Sequence, residues 1–317
     1  MIPLTSVVII TRNRPGEVEK CYRHLMRQTI LPHEIILVDN STDERTRTLI
    51  ATFPDIKYVL VQGPLGYQPS LRNVGIKESS GDVIAFLDDD GYAEPGWVEE
   101  LRKCYDDPSV GAVGGRIVQG DPIASKESVG RFRLFGGVEG NWNYTGNDIF
   151  PVAHLQGTNM SFRKSVLVQI GGWDEAYCGG YATFEEPDVC LRVSKAGYRI
   201  LFNPNAVVVH GEARRENQFG RSVHVSPKLA YYTGRNGTYM YLKNLGLSPR
   251  VLLAALVCNP AIETARCLFG SARKPKLSNL SSRGVLGALL HAGGVCRGVL
   301  LSIARLKRKH NGISGLA

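Results

Sequence analysis

VIAFLDDDG, residues 83–91, decides how this chain is read. Five apolar residues run from Val83 to Leu87 without polar alternation, as in a strand buried on both faces of a parallel sheet covered by helices. Asp88, Asp89 and Asp90 then stop the run abruptly. Three adjacent carboxylates repel one another unless a cation offsets them. Mg²⁺ or Mn²⁺ is a suitable ion, being held by one or two carboxylates together with substrate phosphates. Side chains at i and i+2 of an extended segment point the same way, so Asp88 and Asp90 can share an ion. The plainer alternative is a solvated acidic turn before Gly91.

Working outward, the first 120 residues repeat this strand logic. SVVII (6–10), EIILV (34–38), IKYVLV (56–61) and 110–113 are short β-branched runs. Helical patterns lie between the strands, near 15–29, 43–52, 68–79 and 95–106, with Pro15 and Pro95 placed to open their helices. The expected architecture is α/β, a mostly parallel, Rossmann-like sheet flanked by helices, with a helical C-terminal extension. Ligands of such sheets bind at the carboxyl ends of the strands. Residues 121–156, rich in Gly, Asn and aromatics, read as an irregular, mobile connection. Order returns at 157–163, followed by a helix over 163–170, another over 185–196 ending at Gly197, and strands at 198–202 and 206–209 that stop at His210. Three regions follow: 1–120 and 121–225 as two halves of one domain, and 226–317 as helical extension.

Composition removes several classes. An apolar content of 43% with 21% charge is that of a globular chain. No uncharged apolar run reaches 18 residues, so no spanning helix is expected. The N-terminus lacks a basic region and cleavage site, and seven cysteines without a CxxC pair point to a reducing, cytoplasmic setting. The net charge of +9 is local: Ser248–Ala317 holds eleven Lys/Arg and one acid, leaving the other 247 residues at −1. A body near neutrality argues against nucleic acid. Within the tail, Val285, Leu289, Ala292, Cys296, Val299, Ile303 and Leu306 share one side at helical spacing, ahead of the basic run Arg305–Lys309. This suits a helix at an anionic membrane interface, with packing on its own domain or a dimer partner as the alternative.

The loop after the first strand, Thr11–Arg12–Asn13–Arg14–Pro15, is no GxGxxG fingerprint, and P-loop, HExxH and GxSxG sequences are absent. Asp39 ends the second strand, where an acid either meets a ribose or caps the helix expected near Thr42. Taken together, SVVIITRNRP, EIILVDNSTD, SLRNVGIKESSGDVIAFLDDDG, GTNMSFRK, GGWDE and FEEPDVCLRVSKAGYRI resemble the family 2 glycosyltransferases of the GT-A fold, in order, over residues 5–245.

The resemblance implies roles. Thr11, Arg12 and Asp39 match positions for base and ribose, Arg12 standing where an aromatic is more usual. Arg72 matches a donor-site arginine. Asp88–Asp90 match the DxD element, with Asp88 and Asp89 toward the donor, and Asp88, Asp90 and His210 as metal ligands. Glu186 in Glu185–Glu186–Pro187–Asp188 takes the general-base position, and Glu185, Trp173 and Asp174 fall on the acceptor side. The dipole of a helix also favours acids in its first turn whatever their role, and Asp188 reads as a helix-stabilising acid. The implied reaction is inverting sugar transfer from a nucleoside-diphosphate sugar to a glycan or lipid-linked hydroxyl, by an enzyme bound peripherally to the inner face of the membrane. The alternatives are a nucleotidyltransferase and a non-catalytic carbohydrate- or membrane-binding protein of the same fold.

Overall fold

The computed structural model describes residues 3–63, 68–132, 138–177, 183–211, 227–246, 248 and 282–310. These form two compact units. Among the described residues, the first comprises 3–63, 68–132, 138–176 and 189–211; the second, 177, 183–188, 227–246, 248 and 282–310.

The first unit is built on one sheet. Strands β1 (Thr5–Thr11), β2 (Glu34–Asp39), β3 (Ile56–Leu60) and β4 (Val83–Asp88) alternate with helices α1 (Pro15–Leu25), α2 (Arg45–Ile50) and α3 (Gln68–Glu78). Then come β5 (Gly91–Ala93), α4 (Trp97–Lys103), β6 (Val110–Val118), short strands β7 (Arg131–Phe132), β8 (Val138–Glu139) and β9 (Phe150–Pro151), β10 (Met160–Arg163), α5 (Lys164–Gln169), α6 (Glu185–Lys195) and β11 (Arg199–His210). The sheet order is β3-β2-β1-β4-β10-β6-β11-β5, with β9 on β11. Strands β1 to β4 pair in parallel, and β10 runs antiparallel between β4 and β6. The apolar runs account for this: Val7–Ile9, Ile35–Val38 and Val83–Leu87 are all nearly inaccessible, feeding cores on both faces of the sheet.

Several expectations change in detail. Pro95 does not open its helix; Gly96, left-handed at φ 91°, precedes α4, which starts at Trp97. The two strands expected at 198–202 and 206–209 are one, β11 (Arg199–His210), with a register shift between Asn203 and Val208. The described part of 121–156 is irregular yet packed: Trp142 and Tyr144 are buried with Phe202, Ile117 and Val129. An aromatic cluster there supplies the apolar burial that the regular elements do not.

The second unit contains α7 (Pro227–Leu245) packed on α8 (Ser282–His310). Helix α6 straddles the division. Val189, Cys190 and Val193 lie in the core of the first unit, while the first turn, Glu185–Asp188, belongs to the second.

Candidate active site and metal centre

Sheet order places the site. The chain moves outward from β1 through β2 to β3, then returns to lay β4 on the other side of β1. This reversal is a topological switch point, where the strand ends leave a crevice. Thr11 ends β1 and the three aspartates end β4, and the two segments are joined by Thr11 Oγ1 donating to Asp89 Oδ2 at 2.7 Å. The β1 and β2 loops are tied by Asn13, left-handed at φ 58°, which accepts from Thr42 N at 2.8 Å and donates its backbone N–H to Ser41 Oγ at 2.8 Å.

Asp88, Asp90 and His210 come together here, their nearest ligand atoms within 4.8 Å of one another. His210 is remote in sequence but not in the sheet: β5 and β11 are antiparallel and pair Gly91 with His210. Nδ1 of His210 donates to Gln119 Oε1 at 3.0 Å, which leaves the lone pair of the neutral ring on Nε2. That nitrogen faces Asp90 Oδ1 at 3.3 Å, and the oxygen is buried without a hydrogen bond. A buried carboxylate oxygen and an imidazole lone pair aimed at the same spot, with Asp88 beside them, fit a hard or borderline divalent ion such as Mg²⁺ or Mn²⁺.

Arg14 completes the electrostatics. Its guanidinium bridges Asp89 Oδ1 at 2.5 Å and Asp90 Oδ2 at 2.7 Å. Burial pushes Asp89 up to about 7 against the pull of Arg14 and Thr11. Burial also opposes ionisation of Asp90, but His210, when its ring is protonated and Nε2 donates, and Arg14 outweigh it and hold that carboxyl at about 2; a divalent ion in the place of that proton would act in the same sense. Neighbouring acids are thus separated into one near neutrality and one firmly ionised. Asp88 accepts from Thr158 Oγ1 at 2.8 Å and lies 4.0 Å from Arg72.

Three of the residues expected at the donor and acceptor are buried. Asp39 is fully buried and neither meets open space nor caps a helix; it accepts from Ser41 N and Oγ at 2.8 and 2.5 Å and from Tyr58 at 2.9 Å, while α2 begins only at Arg45. Trp173 offers no open face to a sugar: it is 2% exposed, packed edge-on against Phe86 and Phe162, with the Arg72 guanidinium 4.7 Å above its ring. Glu185 is 1% exposed. Arg12 is exposed, and Asp174 and Glu186 are half-buried. Asp174 caps its turn by accepting from Ala176 N at 3.0 Å.

In the second unit, Phe184 adopts a left-handed φ of 70° immediately before α6, a conformation that costs a non-glycine residue of the order of 1 kcal/mol. Three side chains lock Asp188: Lys243 Nζ at 2.7 Å to Oδ1 and 2.8 Å to Oδ2, Asn244 Nδ2 at 2.6 Å and Tyr177 OH at 3.0 Å. Sequence reasoning passed over Arg14 as a partner of the aspartates, Thr158 and Gln119. A cation beside Pro15 in the β1 loop was a usable signal for Arg14; Gln119 carried none.

The family model described as Glycosyl transferase family 2 matches residues 6–171. The chain belongs to glycosyl transferase family 2. Among its relatives is the glucosyl-dolichyl phosphate glucuronosyltransferase of Haloferax volcanii, 29% identical over 65% of this chain and 68% of that protein. The O-antigen biosynthesis protein RfbC of Myxococcus xanthus is 27% identical over 67% of this chain, and the probable glycosyltransferase YdaM of Bacillus subtilis 31% identical over 55%. This chain spans only 17% and 42% of the lengths of those two. Among solved structures, the mannosyltransferase PcManGT of Pyrobaculum calidifontis, in complex with GDP-Man and Mn²⁺, superposes with a TM-score of 0.54 at 17% identity, over 96% of this chain and 88% of that one. S. aureus TarS 1–349 in complex with UDP-GlcNAc gives 0.57 at 17% identity, over 98% and 92%. The fold of this family 2 chain is GT-A, and it is a glycosyltransferase.

Proposed function

We propose that this enzyme transfers a sugar from a nucleoside-diphosphate sugar to a hydroxyl of a glycan or lipid-linked acceptor with inversion, acting on the cytoplasmic side as a peripheral membrane protein in polysaccharide or glycolipid synthesis. The observation that carries the donor half is the convergence of Asp88, Asp90 and His210 beside Thr11 at the switch point. A divalent ion held by those three would supply positive charge to the diphosphate as it leaves. Thr11, Arg12, Arg72, Asp88 and Asp89 would surround the nucleotide, and Asp39 would act by ordering the loop that faces it. Arg72, backed by the Trp173 ring, is a fixed cation suited to a diphosphate oxygen.

Glu186 is assigned the general base. The acceptor oxygen attacks the anomeric carbon, its proton passes to the Glu186 carboxylate, and the bond from that carbon to the diphosphate oxygen breaks with its electron pair leaving on the nucleoside diphosphate. One displacement inverts the anomeric centre. Asp174 is assigned to the acceptor. A lipid-linked acceptor is supported by the archaeal relative whose name specifies a dolichyl-phosphate-linked glucose.

Thermal shift with UDP, GDP and dTDP, with and without Mn²⁺, tests the donor reading. One nucleotide should raise Tm only when the metal is present; no shift with any of them in folded protein would refute it. Glu186→Gln should keep that shift and lose turnover.

A further inference from the structure

Helix α8 is turned the wrong way round for a helix that lives only in water. The residues packed against α7 are His291, Gly294, Gly298 and Ser302, all buried. A Cβ on Gly294 would come within 2.0 Å of Tyr231 O, and one on Gly298 within 2.5 Å of Arg235 O, so this seam needs its small residues for close backbone approach. The opposite side holds Leu289, Ala292, Cys296, Leu300 and Ile303, all exposed, with Leu289 at 67%, Leu300 at 57% and Ile303 at 45%. These recur every three or four residues, the spacing of a single helical stripe. An amphipathic helix normally buries that stripe and shows its polar side.

Charge selects the occupant. Ser282–His310 contains Arg283, Arg297, Arg305, Lys307, Arg308 and Lys309 and no acid. A second copy of this chain would bring a helix of the same positive charge against it, whereas anionic lipid headgroups complement that charge. The helix is long, yet no helix among the described residues is apolar enough to cross a membrane. We infer that α8 lies in the plane of an anionic membrane interface, inserting the Leu289–Ile303 stripe among the acyl chains while its seam holds α7. This rests on the peripheral-membrane part of the proposed function and gives it a surface.

The test is co-sedimentation of the full chain with phosphatidylcholine vesicles, with and without phosphatidylglycerol. Wild type should bind the anionic vesicles and be released by high salt. The triple variant Leu289→Ser, Leu300→Ser, Ile303→Ser should lose about a hundredfold in partitioning, because three large apolar side chains no longer enter the bilayer. Circular dichroism and the Mn²⁺-dependent nucleotide shift should stay as in wild type, which separates loss of docking from loss of fold and from failure of the donor reading. A triple variant that sediments like wild type overturns the inference. So does a wild-type dimer that the same substitutions split without any vesicle binding.

Discussion

Asp188 offers a direct measure of what its turn is for. If it served only as an acid in the first turn of α6, its removal would cost about 0.3–1 kcal/mol. Its surroundings demand more. The Asp188 and Lys243 side chains are 1% and 4% exposed, joined at 2.7 Å, with Asn244 and Tyr177 donating to the same carboxylate. Lys243 Nζ also lies 5.5 and 5.6 Å from the rings of Tyr177 and Tyr239. Removing one member of a buried pair typically costs about 3–5 kcal/mol, because the other charge stays behind without its counter-ion. Lys243→Met should therefore destabilise by about 3 kcal/mol or more, lowering Tm by roughly 6–12 °C. The double variant with Asp188→Asn buries neither charge and should recover much of the loss, with a coupling above about 1 kcal/mol in a double-mutant cycle. Urea unfolding followed by circular dichroism at pH 7.5 measures all four species. Single variants that each cost under about 1 kcal/mol, with effects that simply add, would refute the network and return Asp188 to a helix-dipole acid.

Other outcomes follow from the same geometry. His210→Ala removes the proposed nitrogen ligand and should weaken Mn²⁺ binding at least tenfold by calorimetry, and Gln119→Leu should weaken it less, since it only frees the ring to turn. Asn159 accepts from Trp97 Nε1 at 2.9 Å and donates to Arg116 O and Ala206 O at 3.0 and 2.8 Å, so Asn159→Leu should cost about 2–4 kcal/mol in urea unfolding while the nucleotide shift persists. Burial lowers His154 below its ordinary value despite carbonyl contacts to Leu155 and Glu139. Its neutral form is the folded one, so stability should be full above pH 6.5 and fall as pH drops toward the folded value, where the unfolded chain binds a proton that the folded chain does not. His154→Gln should flatten that slope in urea titrations between pH 8 and 5.5; His291, lowered in the same sense by burial, would keep some of it.

Strand identity was readable because the runs of β1, β2 and β4 are buried on both faces, and the position of Asp88–Asp90 followed from where β4 must end. The adjacency of Asp90 and His210 was readable only through the resemblance. It depends on the register of β5 on β11, and a three-residue strand leaves almost no periodicity to detect. Trp173 was ambiguous in sequence, because an aromatic beside two glycines suits a sugar platform as well as it suits a core; the seat of Arg72 on its ring was not legible there. The apolar stripe of α8 was visible at helical spacing, but its outward direction was not, because the competing seam is made of glycines and polar residues that carry no hydrophobic signal.

The pairing of Gly91 with His210 would make the edge of the sheet and the proposed cation site a single equilibrium. An ion held by Asp88, Asp90 and His210 would fasten β5, which has only three residues of its own, to the end of β11. Opening of that edge would separate the ligands and release the ion. By thermodynamic reciprocity, every increment of cation affinity appears as slower amide exchange at Gly91–Ala93, growing as RT ln(1 + [ion]/Kd). The edge strand would then report, through its own backbone, how much of the enzyme is loaded for the donor.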